Sequence, residues 1–586
     1  MKGGWWGRGL WVDLGRGRVE SRELPSSLLE TYLGGRGIGI RFLYDLSSPR
    51  EDPLDGNPPL IFAPGPLAAT PVPMGGRYYV TSKSPLTGTA VSSSSGGRFG
   101  LLLKRSGWDL LVIVGKASEP VYLVVDGEGA SLKEAASLWG KEIPLAREAL
   151  REREGKGISA VLTGPAGERK VRFACCENDG RFLGRGGIGA VMGAKGLKAV
   201  VVKEEGKGTP VARPQQLEFI VYEMRKWLEA HPITSQGLRV FGTPVLMNVI
   251  NRAGVLPVRN FQRAGSPLAF RLSGEELRRA FRQRRRSCPQ CPLACGRITE
   301  VKGAEVEGPE YESLWALGVN LEVFDPETVI LASGLCNRLG LDTISTGATL
   351  ACYAELIEKG ACDGRFSFGE RERILEMIER VAFRVEEGEL LAEGSRRMAE
   401  ELGLPSLSMH SKGMELPAYD PRGAQGQGLA YATSPRGGCH LRSYMIGPEV
   451  LGVPKKVDRF SAAGKAGLVI FQENLNAALD SLVACRFGSF ALSDDYYARA
   501  LSAVTGIDYE AQDLHLIGER IWTLERLYNL REGISGKDDL LPERFLSEPL
   551  EGKVLDLPSL LEEYRRFRGW KGGTPGEEKL RSLGLI

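Results

Sequence analysis

The segment Cys288-Pro-Gln-Cys291-Pro-Leu-Ala-Cys295 has the form C-x2-C-x3-C. Three thiolates this close in sequence can turn toward one metal centre, because Pro289 and Pro292 discourage a continuous helix there. Three ligands from one loop and a fourth from elsewhere is a common way to hold a cubane iron–sulfur cluster. A structural zinc knuckle and no metal at all are the competing readings, although zinc ribbons usually add a second C-x2-C pair that this chain lacks. Spacing does not choose a fourth ligand among Cys175, Cys176, Cys336, Cys352, Cys362, Cys439 and Cys485, which otherwise read as small buried hydrophobes. Upstream, Arg278-Arg279-Ala-Phe-Arg282-Gln-Arg284-Arg285-Arg286 reads as a solvated helix face. Beside a redox centre the same run would steer an acidic electron carrier.

Glycine clusters form the second group of candidates: Gly34 to Gly39, Ser92 to Gly100 and Gly184 to Gly193. Glycines let backbone amides approach an anion, and adjacent arginines can pair with phosphate. These loops read either as phosphate-bearing cofactor contacts or as tight β-turns. A dinucleotide fingerprint is disfavoured, because the next strand follows Gly184 to Gly193 within ten residues and leaves no βαβ crossover. Two segments echo each other, Asn337-Arg-Leu-Gly-Leu-Asp342 and Asp480-Ser-Leu-Val-Ala-Cys485. Of the four histidines (His231, His410, His440 and His515), His440 stands out, in the loop Arg436-Gly-Gly-Cys-His-Leu-Arg442. Glu310 and Glu312 sit at an expected helix start, where acids also suit the helix dipole.

The elements that must position these residues change along the chain. The first ~205 residues alternate short β-branched runs with glycine turns. Leu10 to Leu14 and Arg18 to Leu24 read as a hairpin, and strands are predicted at 111–114, 121–125, 158–162, 171–174 and 199–203. Glu204 to Pro214 reads as a boundary. Beyond it the pattern is helical: Asp325-Pro326 opens a helix that Gly340 closes, and Asp342 or Thr343 caps the next, to about Glu358. Amphipathic helices are predicted at 368–387 and 390–402, then at 462–486 and 513–530. A looser stretch, Ser411 to Gly438, holds the second boundary. The predicted class is α+β, with a β-rich domain (1–208) followed by two mainly helical ones (209–415 and 416–586).

Composition bounds what such a molecule does. The chain has 586 residues with 76 bases against 73 acids, a balance that argues against a nucleic-acid binder. Its 75 glycines are too few for a low-complexity chain, and its 10 cysteines are too sparse for a secreted disulfide scaffold. No apolar stretch reaches the ~18 residues a membrane helix needs. The start, Met1-Lys2-Gly3-Gly4-Trp5-Trp6, has no signal-peptide core, so a cytoplasmic protein is expected.

Taken together, the blocks GGRGIGIRFLYDL, GGRYYVTSKSPLTG, SGGRFG, GRGGIGAVMGAKGLKAV, CPQCPLAC, EGPEYESLWALG, LGLDTISTG, ELPAYDPRG, ATSPRGGCH and DSLVACRF resemble the tungsten-containing aldehyde:ferredoxin oxidoreductase family, in family order from about residue 34 to 487. The resemblance implies a β domain that forms a base for a tungsten bis-molybdopterin (tungstopterin), the metal being held by pterin dithiolenes rather than by side chains. It implies that Cys288, Cys291, Cys295 and Cys485 ligate one [4Fe-4S] cluster. It further implies that Arg77 and Arg185 bind pterin phosphates, that the carbonyls of Ser94 and Gly186 reach a bridging magnesium (Mg2+), and that Gly96, Asp342 and Asp480 contact the cofactor. Asn337 stands where the family pattern expects an acid, and Val483-Ala484 replace Gly-Leu.

Glu312 and His440 fall at the family's positions beside the metal. A carboxylate there accepts a proton or orients water, and an imidazole hydrogen-bonds the substrate. The implied activity is oxidation of a small-molecule aldehyde, with electrons passing to ferredoxin or a ferredoxin-like iron–sulfur subunit. The alternatives are the tungsten-bearing subunit of a larger reductase acting on aromatic thioesters, and a non-catalytic zinc-stabilised binding protein. A homo-oligomer is compatible with the family. The iron bridge that some relatives build from E-x-x-H is not expected, because that motif is absent.

Overall fold

The computed structural model describes residues 3–206 and 208–586. Met1 and Lys2 of the N-terminal run, and Lys207 of the expected boundary segment, lie outside the described residues.

The runs that alternate with glycine turns form two six-stranded sheets. The first contains β1 (Arg8–Asp13), β2 (Arg18–Glu23), β3 (Leu60–Ala63), β4 (Tyr78–Lys83), β5 (Ala90–Ser95) and β6 (Leu110–Val114), in the order β2-β1-β6-β3-β4-β5. Only β1 and β6 run parallel. The second contains β7 (Val121–Val125), β8 (Ala130–Glu134), β9 (Ser159–Thr163), β10 (Cys176–Asn178), β11 (Arg181–Leu183) and β12 (Leu197–Val202), in the order β11-β10-β9-β12-β7-β8.

The period-2 pattern explains the layering. On β6, Leu111 and Ile113 join Leu123, Val125, Val200 and Val202 in a core shared by the two sheets. The intervening Leu110 and Val112 face the other way, toward helical chain. On β12, Ala199 and Val201 pack instead toward Leu150 of helix α2 (Ile143–Glu154). Both faces of each sheet are therefore covered, which is why the central strands read as continuous apolar runs. The edge strands β2 and β8 carry the charged residues that discourage further pairing.

The outer face of the first sheet is capped by α1 (Gly35–Leu46), by α9 (Lys465–Leu482) and by α10 (Ala511–Arg531), whose Ile38, Leu43, Leu479, Leu482, Ile521 and Leu524 share one core with Ile61 and Val112. Other helices build the largest core around Trp315 of α5 (Tyr311–Leu317). They include α6 (Pro326–Leu339), α7 (Thr343–Glu358) and α8 (Gln425–Thr433). Two further helices, α3 (Ile188–Ala194) and α4 (Pro214–Ala230), follow β11 and β12 respectively.

The caps of α6 and α7 lie as expected. Asp325 accepts the Thr328 N–H at 3.0 Å, Gly340 ends α6 at φ +82°, and Asp342 accepts the Ile344 N–H at 3.1 Å. The predicted strand at 171–174 does not form. That segment pairs with the α6–α7 turn instead, through the bridge Ala174–Leu341 and the bond from Asp342 N–H to Phe173 O. The helix predicted at 368–387 shortens to Ile374–Phe383, since Arg384 and Glu386 take left-handed backbone. The one predicted at 390–402 splits into Gly388–Leu391 and Ser395–Glu401 around Gly394, at φ +87°. The looser stretch hides α8, which is buried along its whole length and therefore shows no amphipathic period. Among the described residues, no helix is long and apolar enough to cross a membrane.

Candidate active site

The cysteine loop connects two antiparallel strands, β13 (Gln283–Arg286) and β14 (Gly296–Val301), with Arg286 opposite Gly296. The ladder pins both ends of the loop, and left-handed Gln290 and Ala294 fold it tightly. The fourth thiol arrives by a backbone relay. Met74 donates its N–H to Gln290 O at 3.2 Å, and its carbonyl accepts the Cys485 N–H at 3.0 Å. Cys485 is free to leave the helix because α9 ends at Val483, in the left-handed region. Cys288, Cys291, Cys295 and Cys485 thus line one cavity of about 370 Å³, at the junction of the β layers and the helical chain.

At this end of the cavity the thiols are held away from water. Burial, with neighbouring Cys485, pushes the Cys291 thiol up to about 11 and Cys295 well above its ordinary range. Thiols so placed ionise when a metal takes the proton's place. Among the described residues, no three His, Cys, Asp or Glu side chains gather closely enough to hold a single ion. Gly96, at the end of β5, makes room for the loop: a Cβ there would stand 2.4 Å from Cys288 Sγ.

The other end of the cavity is rich in arginine. Arg77 reaches Ser94 O and Oγ at 3.2 and 3.1 Å, with its Nη1 4.0 Å from Cys485 Sγ. Arg185 is held by Asp342 at 3.2 Å and by the carbonyls of Glu415 and Gly438. The Gly186 carbonyl accepts the Ser84 hydroxyl at 2.9 Å, so it and Ser94 O each keep a second lone pair. Asp480 binds Arg442 at 2.8 Å, Arg36 at 3.1 Å and Arg486 at 3.2 Å, as well as Tyr79. Despite the cost of burial, these arginines hold its carboxyl below the usual range.

Sequence reasoning missed three of these arginines. Arg436 and Arg442 both donate to Ser92 O, at 2.9 and 2.8 Å, and with Arg486 they line the cavity. All three keep buried Nε–H donors without an acceptor. Their placement beside Cys439-His440 and Cys485 was the available signal. Unsatisfied buried donors are costly, and here they belong to three side chains that line one cavity.

Glu312 begins α5 and His440 lies on the loop after α8. Their facing atoms, Oε1 and Nε2, are 3.7 Å apart, too far for a hydrogen bond. The side chains are 14% and 13% exposed, and Glu312 Oε1 is buried without a hydrogen-bond partner. Burial lifts the Glu312 carboxyl to about 8, against the opposing pull of the Ala418 N–H and Arg185. Burial, aided by Arg185 and Arg436, lowers His440 to about 3. Near neutrality both groups are therefore uncharged and do not form an ion pair. They stand at the wall between the polar cavity and a second, apolar one of about 450 Å³, lined by Leu246, Val249, Tyr419, Tyr444, Phe487 and Phe490.

Outside the cavity, the basic run is not one helix face. Arg278 and Arg279 end the short helix Gly274–Ala280, and Arg284 to Arg286 lie on β13. Arg279, Arg282, Arg284 and Arg286 each pair with a glutamate.

A thiol- and arginine-lined cavity thus lies between a twin-sheet base and a helical cover. The family models for aldehyde ferredoxin oxidoreductase match along the chain, the N-terminal domain over residues 9–204 and domains 2 and 3 over residues 220–585. The chain belongs to the aldehyde ferredoxin oxidoreductase family and is an oxidoreductase. The tungsten-containing aldehyde ferredoxin oxidoreductase of Pyrococcus furiosus is 44% identical over 99% of both chains. That of Thermococcus kodakarensis is 43% identical with the same coverage. An aliphatic sulfonate oxidoreductase, WOR-like subunit, of Pyrococcus furiosus is 29% identical over 99% of this chain and 97% of its own. Among solved structures, the active site complex BamBC of benzoyl coenzyme A reductase superposes with a TM-score of 0.87, covering 100% of this chain and 98% of the other, at 24% identity. That likeness is one of fold.

Proposed function

We propose that this protein oxidises aldehydes to carboxylic acids and passes the electrons to ferredoxin. The observation that carries the reading is the position of Glu312 and His440, between an arginine-rich cavity and an apolar one. In this reading a tungsten bis-pterin lies in the polar cavity, with Arg77, Arg185, Arg436 and Arg442 toward its phosphates, Ser94 O and Gly186 O toward a bridging magnesium, and Gly96, Asp342 and Asp480 around it. Cys288, Cys291, Cys295 and Cys485 hold a [4Fe-4S] cluster. When bound, the metal centre supplies the two-electron oxidation and the cluster takes the electrons singly. The orphaned arginine donors support that fit. Domain limits at 1–208, 209–415 and 416–586 belong to the same reading.

The chain's own residues handle position and protons. The apolar walls take up the aldehyde's carbon chain and keep water scarce. Neutral His440 hydrogen-bonds the substrate oxygen. Glu312 in its ionised form takes a proton from the water that supplies the new oxygen, and burial favours that uptake because the carboxyl prefers to be neutral. Overall, aldehyde and water give acid, two protons and two electrons.

Anaerobically purified protein should contain about four irons and one tungsten per chain and should reduce viologen only when aldehyde is added. One zinc without tungsten would defeat the proposal. The second reading, a tungsten subunit acting on aromatic thioesters within a larger reductase, rests on the fold likeness; reduction of such a thioester without aldehyde turnover would favour it.

A further inference from the structure

The apolar cavity beside Glu312 and His440 runs from those two side chains to the surface, where Pro232, Gln236, Val249 and Leu441 are exposed at its mouth. Part of that mouth is a π-helical turn, Ile233–Leu238, which follows α4. Ile233, Gln236, Gly237 and Leu238 of this turn all line the cavity. A second π turn, Gly447–Leu451, contributes Leu451 to the same cavity. Among the described residues these are the only two π turns, and such turns are rare and concentrate at functional sites.

Nothing in the backbone requires glycine at position 237. Its φ lies outside the left-handed region, and glycine within helical backbone is disfavoured by its entropy. Packing does not require it either: a Cβ there would find nothing nearer than Pro232 O and the Val245 methyls, each at 3.9 Å. Pro232 and Val245 themselves line the cavity, so a side chain at 237 would extend between them at the mouth. What the glycine does is leave space. The cavity, of about 450 Å³, is in the range that encloses a whole drug-sized molecule, far more than acetaldehyde fills. Of its charged wall residues, Glu310 lies 3.5 Å from Arg181 and Arg486 lies 3.2 Å from Asp480. The remaining space suits carbon rather than charge.

We propose that Gly237 is a specificity-determining residue: by carrying no side chain it keeps the mouth of the cavity open to aldehydes with a bulky apolar skeleton, such as fused-ring aryl aldehydes, which a larger residue at this turn would exclude. The inference rests on the aldehyde oxidation proposed above. A small aldehyde bound at the Glu312–His440 end depends less on position 237 than a bulky one that extends to the mouth.

The test is the ratio of kcat/KM for a naphthaldehyde to that for acetaldehyde, measured on the holoenzyme with viologen as acceptor. The Kd of naphthalenemethanol, an uncharged analogue, is measured beside it by calorimetry. Gly237→Leu should lower the ratio at least about tenfold, chiefly through KM for the bulky aldehyde, the scale on which an apolar pocket discriminates by size. It should raise the Kd of naphthalenemethanol by a similar factor. Gly237→Ala adds one carbon at ordinary contact distance. It should shift both quantities in the same direction by less, and it keeps the test decisive if the leucine variant folds poorly. Arg239→Leu, exposed just beyond the turn and outside the cavity wall, should change neither by more than about twofold. Values within about twofold of wild type in both glycine variants, or an equal shift in Arg239→Leu, overturn the proposal. If the wild type oxidises neither aldehyde, the proposed function fails, and the Kd values still decide the role of Gly237.

Discussion

Glu312 and His440 show how burial sets reactivity one residue at a time. A carboxyl at about 8 is protonated at rest and becomes a base only as pH rises. The rate constant kcat/KM for aldehyde should therefore climb with pH and level off above about 8, and Glu312→Gln should abolish that limb. The same variant should lower kcat by about 10²- to 10⁴-fold, the usual worth of a general base, while metal analysis finds tungsten retained. His440, held near 3, should add no limb between neutrality and that plateau. Cys485→Ala should cost iron, read by elemental analysis; full iron occupancy would remove this thiol from the ligand set. These groups were unequally legible in the sequence. The C-x2-C-x3-C loop announces metal by spacing, whereas Glu312 reads more readily as a helix-dipole acid. Only its buried carboxyl, facing His440, separates the two.

Elements hold these residues by contacts that tolerate little change. The end of β5 passes so close to the cysteine loop that Gly96→Ala would set a methyl 2.4 Å from Cys288 Sγ. That variant should lose much of its iron while circular dichroism shows the sheets intact. Asp342 both caps α7 and meets Arg185, whose side chain is 8% exposed. Removing one partner of a buried pair costs about 3–5 kcal/mol, so Asp342→Ala should lower the thermal midpoint far more than Asp325→Ala, a simple cap worth about 1 kcal/mol. The capped helices α6 and α7 were readable because Asp, Pro and Gly act locally. The strand predicted at 171–174 failed because its apolar residues answer to the α6–α7 turn, a distant partner that local pattern does not reveal.

Across the whole molecule, a buried charge network joins parts far apart in sequence. Arg36 of α1 is fully buried and pairs with both Asp480 of α9 and Glu525 of α10, clamping the helices onto the first sheet. Arg36→Ala would strand the buried Glu525 carboxylate, while Asp480 keeps Arg442 and Arg486, and a loss of about 3–5 kcal/mol is expected in denaturant or thermal unfolding. The same network sets an acid limit. Asp480's folded carboxyl lies below its ordinary value, so the stability it contributes is present above the unfolded value and is lost as pH falls through the folded one. By itself the sequence determined what depends on neighbours along the chain: strand alternation, helix caps, the three-cysteine loop and the ordered blocks that mark the family. Tertiary structure decided what depends on distance through space. It brought Cys485 to the loop through Met74 and drew Arg436, Arg442 and Arg486 around one cavity. Covalent order carries local preference, but electrostatic and packing energies follow separation in space, and that is set only when the sheets and helices close on one another.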